Sequence, residues 1–379
     1  PVKHGLINLH YLFKLRLEMW GKEKPIFFSI VLFLILVFFL LLSFKNINAP
    51  FNHVTGDVNG QNGVAAVNLV EHGFFKLKFG VYDKLLLDAD KAYGSFYTHH
   101  PALFVLPTAV LYKFFGVSEM TTRLGPLLFM LLSIVCFAFA LRKIFKNDLI
   151  PLLITAVFIL LPGVIFYGET FELAVFSLPS ALITFSFFIF YKYNEENKYL
   201  ILFFLSLILG GLMGWFYYLM PVGIWLYLLF SKSEKELKRK KTILFAVPLL
   251  LGLVFSLNFL HFYILNGSTP LSLKGAFLYR ASRGPLEAWL IRIFDMLKLH
   301  STWLFIGTAL AGLGVFIYEY KNKIDWRILT LFILFPVLVV GIFFQWSTHP
   351  FGVIFFLPMI SIFSGIFLWF LIDKLKLWG

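Results

Sequence analysis

Apolar residues come in runs near twenty long, from Ile26 to Leu371, and short connectors between the runs carry most of the lysines and arginines. A helix rising ~1.5 Å per residue needs about that many residues to cross ~30 Å of hydrocarbon. The runs do not alternate polar with apolar positions, so they are not tilted barrel strands. The pattern predicts membrane helices at 26–44, 122–142, 149–166, 171–191, 199–213, 216–230, 242–264, 301–319, 326–344 and 350–372. The fold class that follows is all-α: a polytopic transmembrane helical bundle of about 10–11 helices. Residues 1–379 then form one integral membrane domain, with juxtamembrane helices in the first outer loop.

Charge orients this bundle. Residues 1–25 mix Lys3, Lys14, Arg16, Lys22 and Lys24 with Leu6, Leu9, Phe13 and Trp20, which suits an amphipathic helix lying in the interface. Phe13–Arg16 interrupts the apolar pattern there and no small-residue cleavage site follows the first long run, so that run reads as an anchor. The run Ala102–Val117 is short and contains Pro107 and Lys113. If it does not span, every basic connector falls on the side of the N-terminus, which then holds 21 Lys and Arg against 10 Asp and Glu. The other side holds 12 against 10, and together the two balances recover the net +13. That is the asymmetry expected between the cytoplasmic and outer faces. If the run spans, Lys238–Lys241 and the other basic connectors move outside. The first arrangement leaves two long outer segments, 45–121 and 265–300, and short outer loops at 167–170 and 345–349.

Composition agrees: 60% of residues are hydrophobic, 20% aromatic and only 14% charged, more apolar surface than one soluble core can hide. The positive charge is dispersed between apolar runs instead of gathered on a soluble face, which argues against nucleic acid as a partner. The single cysteine, Cys136, excludes an intramolecular disulfide. The expected location is a multi-pass protein of a cell inner or plasma membrane, in contact with its lipids.

The outer segments hold the residues suited to chemistry. In FNHVTGDVNGQNGVAAVNLVEHGFF, Asp57 precedes a short helix that Gly73 closes. It serves either as the cap of that helix or as a carboxylate able to take a proton from an acceptor hydroxyl. In GSFYTHHPALFVLP, His99 and His100 precede Pro101, an extended entry into an apolar helix. Adjacent histidines point apart and no third ligand accompanies them, so the reading is a phosphate or sugar contact, or a structural turn, with no metal site assigned.

These residues resemble the C-type membrane glycosyltransferases, in the branch of aminoarabinose transferases and protein O-mannosyltransferases. The likeness lies in an ordered series over the first half of the chain: a first membrane helix, the acidic site around Asp57, YTHHPALF, FFGVSEMTTRLGPLLF and the basic turn LRKIF. The resemblance implies transfer of a sugar from a polyprenyl-phosphate carrier to an acceptor at the outer face, with Asp57 as general base. Many relatives have a second acid directly after that Asp, whereas here Val58 follows. No cofactor is therefore assigned, and a divalent cation is left open.

The loop FYGETFELAVF holds Glu169 and Glu172 where relatives carry a further acidic residue. In the second outer segment Lys274, Arg280, Arg283 and Arg292 lie among apolar residues, and Arg280 and Arg283 share a side if the segment is helical. Their guanidinium groups suit a departing carrier phosphate, or they snorkel to headgroups. Lys84, Arg123 and His349 are further outer-face candidates for binding the donor. The expected function is inverting sugar transfer to a lipid, glycan or protein acceptor, with the alternatives a lipid or sugar transporter or flippase, and a catalytically silent subunit of the same fold. Transporters place ionisable groups near mid-membrane, whereas these cluster at one face.

Overall fold

The computed structural model describes residues 25–51, 56–88, 96–230, 239–267, 275, 277–278, 281–282, 284–320, 325–344 and 349–375. Within these ranges the side chains of Pro25, Asp57, Leu173, Ala174 and Pro350 are not described. The expected interfacial helix of residues 1–24, together with Lys274, Arg280 and Arg283, lies outside the described residues.

The helices are α1 (Pro25–Phe44), α2 (Gly56–His72), α3 (Leu106–Phe115), α4 (Glu119–Phe145), α5 (Leu149–Leu160), α6 (Pro162–Gly168) and α7 (Leu173–Asn194). They continue with α8 (Asn197–Met213), α9 (Leu219–Phe230), α10 (Lys240–Asn266), α11 (Leu286–Val315), α12 (Trp326–Leu329), α13 (Leu331–Ile342) and α14 (Leu357–Leu375). Extended structure among the described residues is one antiparallel bridge between Val81 and Tyr97. The chain is a polytopic helical membrane protein. Six helical stretches are long and apolar enough to cross a membrane, and the pair α5 and α6 makes a seventh if taken as one span.

Two expectations change, and a run left open is given its extent. The predicted span 149–166 is broken, with α5 and α6 bent by 68°. Leu161 is extended (φ −65°, ψ 125°) because Pro162 follows it, and a residue before proline is pushed out of the helical region. The predicted helix 301–319 begins much earlier, at Leu286 after Pro285, and the expected start coincides with a kink at Thr302 (φ 60°, ψ 157°). That backbone region is essentially reserved for glycine, so a β-branched residue there is strained. The run Ala102–Val117 forms a helix over Leu103–Phe115 only, about 20 Å at ~1.5 Å per residue. It lies against α2 and α4: the Tyr112 and Thr122 hydroxyls are 2.5 Å apart, and Ala65, Ala66 and Ala109 share a buried cluster.

Three hydrophobic cores form among the described residues, the least of them a cluster of Phe28, Leu32, Ala138 and Leu152. The largest joins α4, α5, α7, α8, α9, α13 and α14 through residues such as Phe137, Phe158, Phe185 and Phe332. Here α11 and α14 touch backbone to backbone, since a β-carbon at Gly312 would fall 1.8 Å from the Phe363 carbonyl oxygen. The second core assembles the first outer segment, from Ala65 through Leu77, Val81 and Phe96 to Val105, onto Phe171, Phe176, Met213 and Leu265 at the bundle end.

Polar contacts sort between the two ends. One end is tied by Asn and His side chains to backbone: Asn266 exchanges two 3.1 Å hydrogen bonds with Phe96, and the Trp215 indole donates to the His99 carbonyl at 2.8 Å. The other end carries the four ion pairs found among the described residues, Arg142–Asp148, Lys192–Asp325, Lys198–Glu196 and Lys374–Glu319.

Candidate active site

The helix that carries Asp57 begins one residue before it. Gly56 opens α2, which places Asp57 in the first turn instead of at the cap, where a carboxylate still complements the helix's positive end. Gly56 is required by closeness: a β-carbon there would lie 2.6 Å from the Phe51 carbonyl oxygen. The helix ends where the sequence indicated, at Gly73 with φ 94°.

Two asparagines on α2 fix its position. The Asn59 Oδ1 accepts the Phe171 N–H at 2.6 Å, and the Asn62 Nδ2 donates to the Phe171 carbonyl at 2.8 Å. Asn59 is 6% exposed. Both polar groups of one backbone unit are thereby taken by a helix more than a hundred residues away, and the turn between α6 and α7 is locked onto the start of α2. Neither asparagine had been singled out in the sequence, although their spacing of three puts them on one helical side.

Between these elements lies a small polar cleft lined by Phe51, Gly56, Asn59, Arg123, Phe166, Glu169 and Thr170. Its volume, about 30 Å³, admits a water molecule or a single hydroxyl and not a sugar ring. Glu169 caps the C-terminal end of α6. Its Oε2 is buried with no hydrogen-bond partner among the described residues. Burial pushes the carboxyl up to about 7, and the Arg123 charge opposes this only in part. Arg123, only 7% exposed, donates from Nη1 to the Ile47 carbonyl at 2.8 Å and lies 4.5 Å from the centre of the Phe51 ring. It therefore holds the chain leaving α1 beside the start of α2, an enclosed position for a residue that the sequence offers as an outer-face candidate for binding the donor.

The other candidates are dispersed. Glu172 is buried, 4% exposed, but does not line the cleft. His99 and His100 both contact the Tyr97 ring, at 5.1 and 5.9 Å, and His100 is buried. Two residues beyond them begins an apolar cavity of about 250 Å³, lined by Ala102, Leu103, Leu106, Leu212 and Leu257, with Asn258 and His261 as its polar groups. Lys84 is exposed, and its carbonyl is held by Asn68 at 2.7 Å. His349 is exposed and stacks on Phe351. Arg280 and Arg283 fall outside the described residues, as does the Asp57 side chain.

No group of three His, Cys, Asp or Glu among the described residues could hold a metal ion. Glu169 is the one carboxylate described in the cleft, and Arg123 also lines it. The described residues alone bring no set of donors for a divalent cation to the cleft, and the Asp57 side chain is not among them.

The same fold occurs in solved structures. ArnT from Cupriavidus metallidurans bound to undecaprenyl phosphate superposes with a TM-score of 0.68 over 88% of this chain at 14% identity. Archaeal oligosaccharyltransferase AglB from Archaeoglobus fulgidus, in complex with an inhibitory peptide and a dolichol-phosphate, gives 0.63 over 93% at 13% identity. The oligosaccharyltransferase of Archaeoglobus fulgidus in complex with Zn and sulfate gives 0.60 over 91% at 15% identity. The C-type glycosyltransferase resemblance is thus shown at the level of the fold. The chain spans 59% of ArnT and 51% of AglB. No family model and no curated protein matches the sequence.

Proposed function

We propose that this chain is a membrane glycosyltransferase that moves a sugar from a polyprenyl-phosphate carrier to an acceptor hydroxyl at the outer face of the membrane. The observation that carries the reading is the pair of hydrogen bonds by which Phe171 donates to Asn59 and accepts from Asn62, which brings the first turn of α2 to the Glu169–Arg123 cleft. Glu169, in that cleft, has a carboxyl that burial holds near neutrality, so it places little negative charge beside the turn that carries Asp57.

In the proposed reaction the acceptor oxygen attacks the anomeric carbon while Asp57 takes the hydroxyl proton. The bond from that carbon to the carrier's phosphate oxygen breaks, its electron pair leaves with the phosphate, and the configuration inverts. Arg280 and Arg283 neutralise the charge the phosphate gains. The apolar cavity that begins two residues after His100 supports a lipid-linked donor, since an isoprenoid chain needs an apolar bed near the phosphate contacts. Undecaprenyl phosphate in ArnT and dolichol-phosphate in AglB, on the same fold, support the same donor class.

The test is to incubate the purified protein with a panel of polyprenyl-phosphate sugars and acceptors and to measure release of free carrier phosphate. Release with any donor supports the transferase. Movement of intact labelled donor across a proteoliposome bilayer, without release, replaces it with the transporter.

A further inference from the structure

At the end opposite the cleft, a groove of about 460 Å³ opens between the last turns of α4, the end of α7 and the start of α8. Its inner wall is apolar, formed by Val135, Phe139 and Phe190, all half-buried. Its mouth is basic and polar, formed by Arg142, Lys143 and Asn194. From residue 135 to residue 142 a helix rises about 10 Å, so the groove changes from hydrocarbon-like to charged along the length of a phospholipid's glycerol and headgroup.

The charged groups are held ready. The Arg142 Nε donates to Asp148 at 2.6 Å, with the Asp148 side chain fully buried, and its guanidinium lies 4.8 Å from the Phe28 ring. These contacts fix the plane of the fork while its terminal amino groups have no hydrogen-bond partner among the described residues. The exposed Lys143 makes one long hydrogen bond, 3.3 Å, to Asn194. The acid on the rim, Glu196, is 2.6 Å from Lys198, so its charge is matched locally.

We propose that this groove binds the phosphodiester headgroup of an anionic phospholipid from the leaflet at the basic end of the bundle. A guanidinium fork beside an ammonium suits a phosphate oxygen pair. Basic pockets between membrane helices on the side rich in Lys and Arg are where anionic headgroups concentrate. The apolar wall selects a lipid over free phosphate, because a small anion leaves Val135, Phe139 and Phe190 uncovered. The inference uses none of the residues assigned to sugar transfer, so its failure leaves that reading intact and the reverse holds too.

Cys136 lines the same groove and is the chain's single cysteine, which makes it a reporter of occupancy. The experiment follows its modification by a small membrane-permeant methanethiosulfonate in nanodiscs of phosphatidylcholine alone, phosphatidylcholine with phosphatidylglycerol, and phosphatidylcholine with inorganic phosphate in the buffer. Phosphatidylglycerol is expected to slow the reaction of Cys136, and inorganic phosphate to leave it unchanged. In Lys143→Glu the apparent affinity for phosphatidylglycerol should fall on the order of tenfold or more. Arg142→Lys keeps the charge facing Asp148 while removing the fork, and should show partial protection. Equal labelling in the two lipid compositions overturns the proposal, as does equal protection by inorganic phosphate or protection undiminished in both variants.

Discussion

The side-chain oxygen of Asn59 accepts the backbone N–H of Phe171 at 2.6 Å, joining points 112 residues apart in the chain. With the Asn62 bond to the Phe171 carbonyl it fixes the first turn of α2 to the turn bearing Glu169. Asn59→Ala leaves a buried amide unpaired, which costs about 1–3 kcal/mol. The expected outcome is a lower melting temperature and a disproportionate loss of turnover with donor affinity little changed, measured by thermal denaturation and by kinetics over a range of donor concentrations. Equal loss in Asn59→Ala and in a destabilised variant remote from the cleft would remove the positioning role.

Glu169 gives the fold a pH dependence whose sign can be worked out. Its folded value, about 7, lies above its ordinary value of 4.5, so between these limits the folded state binds more protons than the unfolded chain. Its contribution to stability is therefore fully present below about 4.5 and is lost as pH rises through 7. Glu169→Gln removes the titration. The wild type should lose melting temperature relative to this variant between pH 5 and pH 8, and parallel curves across that window would contradict the burial of this carboxyl.

The apolar runs were legible because hydrocarbon sets a minimum length that composition reports directly, and the shortness of the run that forms Leu103–Phe115 was legible in its 16 residues with Pro107 and Lys113. The break at Leu161–Pro162 was hidden, since hydropathy continues across it while the backbone turns by 68°. The kink at Thr302 was seen only as a helix start. At the site, Glu169 and Arg123 were recognisable as charges near a membrane surface, but their sharing of a cleft was not. That depends on Asn59 and Asn62 capturing a distant backbone unit, and such a partnership leaves no local pattern. Of the two readings of Asp57, the cap of α2 shifts into the first turn, because the absence of a side chain at Gly56 lets the helix start a residue earlier, against Phe51.

The topology has a direct check. In a Cys136→Ser background, a cysteine at Ser95 should react with an impermeant reagent from outside and one at Ser233 only after the inner face is opened. Outside labelling at Ser233 would mean that the helix Leu103–Phe115 crosses the membrane and that the cleft faces inward.

For the carrier phosphate, Arg280→Ala and Arg283→Ala are each expected to weaken donor binding or turnover by roughly 10- to 150-fold, the worth of a lost charge-assisted contact. Lysine should rescue only in part, because it lacks the planar fork. Unchanged kinetics in both single variants and in the double variant would assign these arginines to lipid headgroups.

Asp57 separates a helix-terminal role from a catalytic one through a single conservative change. In the first turn of α2 its charge favours the helix by typically 0.3–1 kcal/mol, so Asp57→Asn should insert and fold almost normally. Asparagine cannot accept the acceptor's proton, and turnover should fall by about 10²–10⁴ if proton transfer contributes its usual share. Donor affinity should survive, because the base faces the acceptor and the carrier phosphate is held elsewhere. Measured side by side, a melting temperature near wild type, an unchanged donor affinity and a large loss of turnover would identify the base. Near-normal turnover in Asp57→Asn would leave Asp57 a dipole partner of α2 and move the search to Glu169, which lines the cleft, and then to Glu172, which is buried beyond it.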